Sequence, residues 1–95
     1  MENHIIEYTN TLKEILNKYN QNTEVEVKIC KSQRSNDIMR DRYLEFNFNI
    51  VEFNENLADE ILDFTFDCLI NDGIEIIPSD KMIEFLSKNH YKTIF

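Results

Sequence analysis

The sequence predicts a small α+β domain of two layers, in which helices pack on one face of a mixed β-sheet. Three observations lead to this fold class. Two long segments repeat apolar residues at three- and four-residue steps, and two others alternate apolar with polar residues. A single glycine and a single proline interrupt the second half of the chain. The predicted order is α-β-β-α-β-α. Residues 90–95 favour β-structure, so a further strand at the C-terminus is an additional possibility.

The length and composition indicate one compact domain, 1–95. The chain has 95 residues, which is too short for two hydrophobic cores. Its hydrophobic fraction of 42% is too high for an intrinsically disordered protein. Its two cysteines, Cys30 and Cys68, do not form a disulfide framework, and neither a signal peptide nor a membrane span is recognisable. These features predict a cytoplasmic protein with reduced thiols.

The first half of the chain is predicted to contain a helix and two antiparallel strands. The helix covers residues 3–20, the strands cover 23–31 and 41–53, and the polar, aperiodic residues 32–40 form the loop between them. The second strand loses its alternation after Ile50, which indicates a bulge or a second covered face there. The apolar positions behind these assignments are Ile5, Thr9, Leu12, Leu16 and Tyr19 in the helix and Val25, Val27 and Ile29 in the first strand.

The second long helix has clear signals at both ends. Asn54 and Asn56 are both suitable N-caps, and the helix is predicted to run to about Asp72. Gly73 follows as a left-handed terminator. Within this helix, seven residues are predicted to face the core: Leu57, Ala58, Ile61, Leu62, Phe64, Cys68 and Leu69.

The remaining elements complete the sheet and the helical layer. Residues 74–77 form a short apolar strand, and Ser79 or Asp80 caps a last helix that extends to about Lys88. A strand–helix–strand step from 41–53 to 74–77 forms a right-handed crossover if the two strands are parallel.

The charge balance excludes some classes of partner. Eighteen acidic residues against ten basic ones give a net charge of −8, which disfavours generic nucleic-acid binding and binding to an anionic membrane. The charges are also segregated, because ten acids and no lysine or arginine lie between Tyr43 and Asp80.

The helix 55–72 concentrates this negative charge on one side. At 100° per residue, five acids fall within an arc of about 140°, and two apolar residues project among them. Acids four residues apart are separated by about 6 Å along the axis, which resembles the spacing of phosphates along a nucleic-acid strand. The candidate partner-binding residues are Glu55, Asp59, Glu60, Asp63, Phe66, Asp67 and Ile70.

Three explanations for this helix remain open. It is a solvated face of an acidic protein, a docking face for a basic protein, or a divalent-metal site, although no loop has EF-hand spacing. In the second explanation the carboxylates steer association, and Phe66 and Ile70 supply an apolar anchor. These two side chains are alternatively covered by the C-terminal segment or by a second copy in a homodimer.

The segment 28–42 carries a cluster of basic residues that offers an alternative phosphate-binding site. In this alternative the protein is a nucleic-acid or nucleotide-binding regulator. In the competing explanation, these arginines pair with the chain's own acids, such as Asp41 or Glu45. The candidate residues are Lys31, Arg34, Arg40 and Arg42.

Catalysis, cofactors and metals have no support from motifs. The two histidines, His4 and His90, lie near opposite ends of the chain without metal-ligand spacing, and nothing in the spacing supports a Cys–His pair. We therefore expect a protein that is not an enzyme, has no cofactor and binds no metal.

The sequence hypothesis that follows is inhibition by occlusion. A small acidic domain with an acidic and apolar face suits an inhibitor that covers the phosphate-binding surface of a basic partner, such as a nuclease or a defence protein. An immunity protein or antitoxin and a phage anti-defence protein both fit this description. A homo-oligomeric adaptor is the third alternative.

Overall fold

The computed structural model describes residues 2–31, 42–49 and 54–83, and it confirms the α+β class and the α-β-β-α-β-α order. A third helix begins at residue 80 and is described to residue 83. The predicted loop 32–40, the region of the predicted bulge and the predicted C-terminal strand lie outside the described residues. The other elements are α1 (Glu2–Lys18), β1 (Glu26–Lys31), β2 (Arg42–Asn47), α2 (Glu55–Asp72) and β3 (Ile76–Pro78).

The sheet has the order β1-β2-β3, so the middle strand pairs on both sides. β1 and β2 are antiparallel, with Ile29 opposite Leu44, whereas β2 and β3 are parallel, with Leu44 opposite Ile76. In β2, Leu44 and Phe46 are completely buried, while Glu45 between them is only half-buried. This alternation is the two-residue period of a strand that has one face on the core. It confirms the mixed sheet that the sequence predicts.

Both long helices pack against this buried face, and they run antiparallel to each other. α1 contacts β1 and α2 contacts β3. His4 near the start of α1 lies beside Asp72 at the end of α2, and Lys18 at the end of α1 contacts Glu60. The core between the layers is built from Tyr8, Leu12, Ile15, Leu16, Leu44, Phe46, Phe48, Leu57, Ile61, Phe64, Cys68, Ile74, Ile76 and Met82.

The residues that α1 buries differ in part from the predicted apolar stripe. Tyr8 and Ile15 are buried, whereas Ile5, Thr9 and Tyr19 from the predicted stripe are only half-buried. The reason is that α1 is covered by the sheet on one side and by α2 on the other, so its contact surface is wider than one stripe. Tyr8 reaches α2 and packs edge-on against Phe64, with ring centroids 5.5 Å apart.

Local hydrogen bonds explain where the helices begin and end. The Asn54 side chain accepts hydrogen bonds from the backbone N–H groups of Asn56 (2.8 Å) and Leu57 (3.3 Å), so Asn54, not Asn56, is the N-cap of α2. Gly73 has a φ of 66° and donates to the Leu69 carbonyl, as a left-handed C-terminal cap does. Asn20 has a φ of 59° and ends α1 in a similar way.

The third helix is tied to the sheet through its cap. The Ser79 hydroxyl accepts from the backbone N–H of Met82 (3.4 Å) and donates to the Asn47 side chain (2.7 Å). The Ser79 backbone N–H donates to the Phe46 carbonyl (2.9 Å). Ser79 is therefore the N-cap, and β3 ends at Pro78 because the chain turns into this helix there.

Some strand boundaries differ from the predicted ones. β1 begins at Glu26, because Glu26 opposite Asn47 is the first pair of the ladder, and residues 23–25 precede it unpaired with β2. β3 begins at Ile76, two residues later than predicted. A bond from the Leu44 N–H to the Glu75 carbonyl (2.9 Å) ties the preceding residues to β2.

Substitution of Gly73 tests the left-handed cap of α2. A Cβ at this position meets no atom within 4 Å, so only the backbone conformation opposes a side chain. We expect Gly73→Ala to lower the free energy of unfolding by about 1 kcal/mol, and Gly73→Asn to lower it by less, because asparagine tolerates this conformation better. Urea denaturation followed by circular dichroism measures the difference. Equal stability of the wild type and the alanine variant would show that the cap does not limit stability.

Candidate functional site

The outward side of α2 exposes acidic and apolar side chains together. We define the acidic-apolar face of α2 as four acids and three apolar residues, all solvent-exposed. Its apolar members are unusually open for residues of their size, with Phe66 53%, Leu69 51% and Ile70 76% accessible. The acids of the face are Glu55, Asp59, Asp63 and Asp67.

The inner side of the same helix explains why these residues face outward. Leu57, Ile61, Phe64 and Cys68 are buried against α1 and the sheet, so they fix the rotation of α2 about its axis. Residues on the opposite side of the helix then face the solvent. The exposure of Phe66 and Ile70 is therefore a consequence of the core and not of a local irregularity.

Leu69 and Leu62 correct the predicted core face of α2. Both were expected to face the core, but Leu69 is half accessible and Leu62 is only half-buried. Neither residue belongs to the buried core cluster. Leu69 thereby joins Phe66 and Ile70 and enlarges the exposed apolar area. The sequence pattern alone could not show this, because it does not indicate how far the neighbouring elements extend around α2.

The negative charge of the face is not offset by α2 itself. The helix carries no basic residue in its last turn, where a cation would favourably oppose the helix dipole. Asp63 and Asp67 form no ion pair with any residue in the described part of the chain. Like charges at four-residue spacing each cost about 0.2–0.5 kcal/mol, so this arrangement disfavours the isolated helix.

Glu60 differs from the other acids predicted for partner binding, because its carboxylate contacts α1. Its carboxylate accepts a hydrogen bond from the Lys18 ammonium group (2.5 Å) and another from the Tyr19 hydroxyl group. These two bonds lower the pKa of Glu60, and the bond to the carboxylate raises the pKa of Tyr19. Glu60 thus joins α2 to the end of α1 and is occupied within the protein.

The basic segment is only partly described. Lys31 at the end of β1 and Arg42 at the start of β2 are partners in the antiparallel ladder, and both are exposed. Arg34 and Arg40 lie outside the described residues. Glu45, one of the acids expected to pair with the arginines, lies 3.6 Å from the Lys28 ammonium group instead. The described residues therefore bring two of the four candidate phosphate ligands together.

A second group of polar side chains joins the start of α1 to the end of α2. The Tyr8 hydroxyl donates to the Asp72 carboxylate at 2.5 Å, and the His4 ring stacks on the Tyr8 ring with centroids 5.3 Å apart. The His4 Nδ1 atom lies 3.5 Å from a Glu7 carboxylate oxygen and 3.9 Å from Asp72 Oδ2. Sequence analysis missed this group, because His4 and Asp72 lie in different helices at distant positions in the chain.

Cys68 borders this second group but is a buried thiol. Burial, followed by the nearby carboxylates, raises its pKa to about 11, although a hydrogen bond with Tyr8 acts in the opposite direction. Burial and the bond to Asp72 also raise the pKa of the Tyr8 hydroxyl. At neutral pH both groups are protonated, so Cys68 lacks the thiolate that a nucleophile requires. Cys30 and Cys68 are both free.

The comparisons with known proteins supply no relative. No family model, no curated protein and no solved structure matches the chain. Among the helices of residues 2–31, 42–49 and 54–83, none is long and apolar enough to cross a membrane.

The role of Glu60 predicts a specific pH dependence. Its pKa is lower in the folded protein than its ordinary value of 4.5, so its contribution to stability is complete above that value and is lost as the pH falls through the folded-state pKa. We expect Glu60→Gln to lower the melting temperature at pH 7, and the difference from the wild type to shrink towards pH 3. Thermal unfolding over this pH range measures it.

Glu14→Gln provides the control. Glu14 is exposed on α1, and this substitution removes one negative charge, as Glu60→Gln does. A Glu60 variant with the pH profile of the Glu14 variant would show that the contacts with Lys18 and Tyr19 do not stabilise the fold.

Proposed function

We propose that this protein is an inhibitor that binds a basic, nucleic-acid-handling protein through the acidic-apolar face of α2 and blocks its phosphate-binding surface. The observation that carries the proposal is the exposure of Phe66, Leu69 and Ile70 beside a row of acids on one helix. The exposed apolar side chains favour a contact with another protein, and the acids define the charge of that contact.

The apolar residues supply the energy of this contact. Isolated exposed apolar residues are common, but large ones close together on a surface mark interaction sites. Phe66, Leu69 and Ile70 lie one turn or less apart on α2, so a partner covers them at once. Burial of such side chains contributes about 25 cal/mol per Å² of apolar surface.

The acids favour a basic partner over a second copy of the chain. A two-fold contact through this face sets the acids of one copy against those of the other, which is electrostatically unfavourable. A basic groove gains from the same charges, and these also accelerate encounter at low ionic strength. Acids repeated at about 6 Å along α2 suit a surface that binds successive phosphates.

The biological setting follows from this chemistry. A basic partner that handles nucleic acid fits an immunity protein or antitoxin, which neutralises a nuclease toxin, and it fits a phage protein that blocks a bacterial defence nuclease. In both settings the protein acts in the cytoplasm, where free thiols such as those of Cys30 and Cys68 persist. The proposed role needs no catalytic residue, since occlusion requires only a complementary surface.

Charge reversal on the face tests the electrostatic part of the proposal. We expect the triple variant Asp59→Lys, Asp63→Lys and Asp67→Lys to abolish binding, because a basic surface then repels it. The matched control is Glu14→Lys, Glu24→Lys and Glu26→Lys, which changes the net charge equally at exposed positions outside the face. Its binding is expected to persist, with slower association at most.

The measurement begins with bacterial lysate passed at low salt over the wild type and both triple variants. A partner is accepted only if the wild type and the control retain it and the Asp59/Asp63/Asp67 variant does not. The purified partner must then release a labelled oligonucleotide when the wild type is added, as fluorescence anisotropy reports. A partner that binds the oligonucleotide and the inhibitor together would contradict occlusion. Retention of nucleic acid alone, lost on replacement of Arg34, Arg40 and Arg42 by alanine, would favour the basic segment instead.

Truncation of the apolar anchors tests the other part of the proposal. We expect Phe66→Ala and Ile70→Ala each to weaken partner binding by about 2 kcal/mol, mainly through faster dissociation. Because both side chains are exposed, the stability of the domain is expected to change by no more than about 0.5 kcal/mol. Surface plasmon resonance and urea denaturation measure the two effects. Unchanged dissociation of both variants would exclude them as anchors.

A further inference from the structure

Three side chains with metal-ligand chemistry converge where the start of α1 meets the end of α2. They are His4, Glu7 and Asp72, and one nitrogen or oxygen atom of each lies within 4.8 Å of the others. His4 and Glu7 are three residues apart on α1, so they share a helix face, and the antiparallel packing of α2 brings Asp72 to that face. The group is separate from the acidic-apolar face of α2.

The His4 Nδ1 atom has a position that internal hydrogen bonding does not explain. The atom is inaccessible to solvent and has no hydrogen-bond partner among the described residues, although the ring itself is partly exposed. A buried polar atom without a partner destabilises the folded protein, because it has lost its hydrogen bonds to water. Here the unpaired nitrogen is directed towards two carboxylates, so a ligand that lies between the three groups removes this destabilisation.

The distances suit a shared cation better than direct bonds. Nδ1 lies 3.5 Å from Glu7 Oε2 and 3.9 Å from Asp72 Oδ2, longer than the 2.7–3.2 Å of an ordinary N–H···O hydrogen bond. In a tetrahedral zinc site with bonds of about 2.0–2.1 Å, neighbouring ligand atoms are roughly 3.3–3.4 Å apart. All three atoms already lie within 4.8 Å of one another, so the carboxylate groups must move closer together to reach that separation when an ion binds.

We propose that His4, Glu7 and Asp72 bind a divalent zinc-type ion, with water completing the coordination. One imidazole with two carboxylates is a ligand set that borderline transition metals accept, and two negative charges compensate the charge of the ion. Because Glu7 and Asp72 are exposed, water has access to complete the coordination. The inference does not depend on the proposed inhibitory function.

Tyr8 holds this site in place without being a ligand. Its hydroxyl donates to Asp72 Oδ2, and its ring stacks on His4, so it orients two of the three ligands from the second coordination shell. The converging ligand atoms come from His4, Glu7 and Asp72, and the Cys68 thiol is not among them. The dipole of α2 ends at Asp72 with its negative pole and favours a cation there, while the start of α1 has the opposite effect.

Titration with ZnCl₂ alone tests the site. The full chain, with Cys30→Ser to remove the more accessible thiol, is titrated calorimetrically after treatment with a chelator. We expect one ion per chain, and a higher melting temperature with zinc because the ion joins α1 to α2. We expect His4→Ala, Glu7→Gln and Asp72→Asn each to weaken binding by at least about 10-fold.

Matched controls separate this site from general attraction of cations to an acidic protein. Glu2→Gln changes another exposed acid in the first turn of α1, and Asp63→Asn changes another acid of α2, so both are expected to bind zinc as the unsubstituted chain does. Glu7 and Glu2 are exposed, so these two variants are expected to fold normally. Absence of zinc binding, or equal affinity of the Glu7→Gln and Glu2→Gln variants, would show that the three groups form only an ion-pair network.

Discussion

The burial of the middle strand is the constraint on which the rest of the domain depends. β2 pairs with β1 on one side and β3 on the other, and its Leu44 and Phe46 side chains are completely removed from solvent. Both long helices must cover these side chains, which places α1 and α2 side by side on one face of the sheet. The rotation of α2 is then set by the side chains it buries, and its exposed residues follow from that rotation. Phe66 and Ile70 are outside because Ile61 and Phe64 are inside.

The polar contacts at the two ends of the α1–α2 pair differ in chemistry. At one end Glu60 accepts hydrogen bonds from Lys18 and Tyr19, a complete pairing of an acid with its donors. At the other end Asp72 accepts from Tyr8 but leaves the buried His4 nitrogen unpaired. The same helix pair thus contains a satisfied polar contact and an unsatisfied one. This difference is what distinguishes a purely structural contact from the proposed zinc site.

Local signals in the sequence were sufficient for the elements and for most of the topology. The alternation in β1 and β2, the Asn54 and Gly73 caps and the Ser79 cap all act within a few residues, so the pattern along the chain contains them. Helix geometry alone predicts that Phe66 and Ile70 project among the acids, but the sequence left open whether another segment covers them, and the structure exposes both. The core position predicted for Leu69 was wrong, and the contacts of Glu60 with Lys18 and Tyr19 were not predicted, because both depend on how other elements pack around α2. The group formed by His4, Glu7 and Asp72 depends on packing between distant segments, and no local pattern announces it.

The fixed ends of α2 have a consequence for the thermodynamics of association. Asn54 and Gly73 each pair two of the terminal backbone groups, and the buried side chains hold the helix between them. Its exposed residues therefore keep a fixed relative geometry before any contact. A flexible segment loses conformational entropy when it is ordered by a partner, about 1–2 kcal/mol for each residue whose backbone becomes fixed. On α2 this loss has already occurred during folding. In the proposed complex, the free energy gained by covering Phe66, Leu69 and Ile70 would therefore contribute to affinity without this loss, so a small contact area would be sufficient for tight binding.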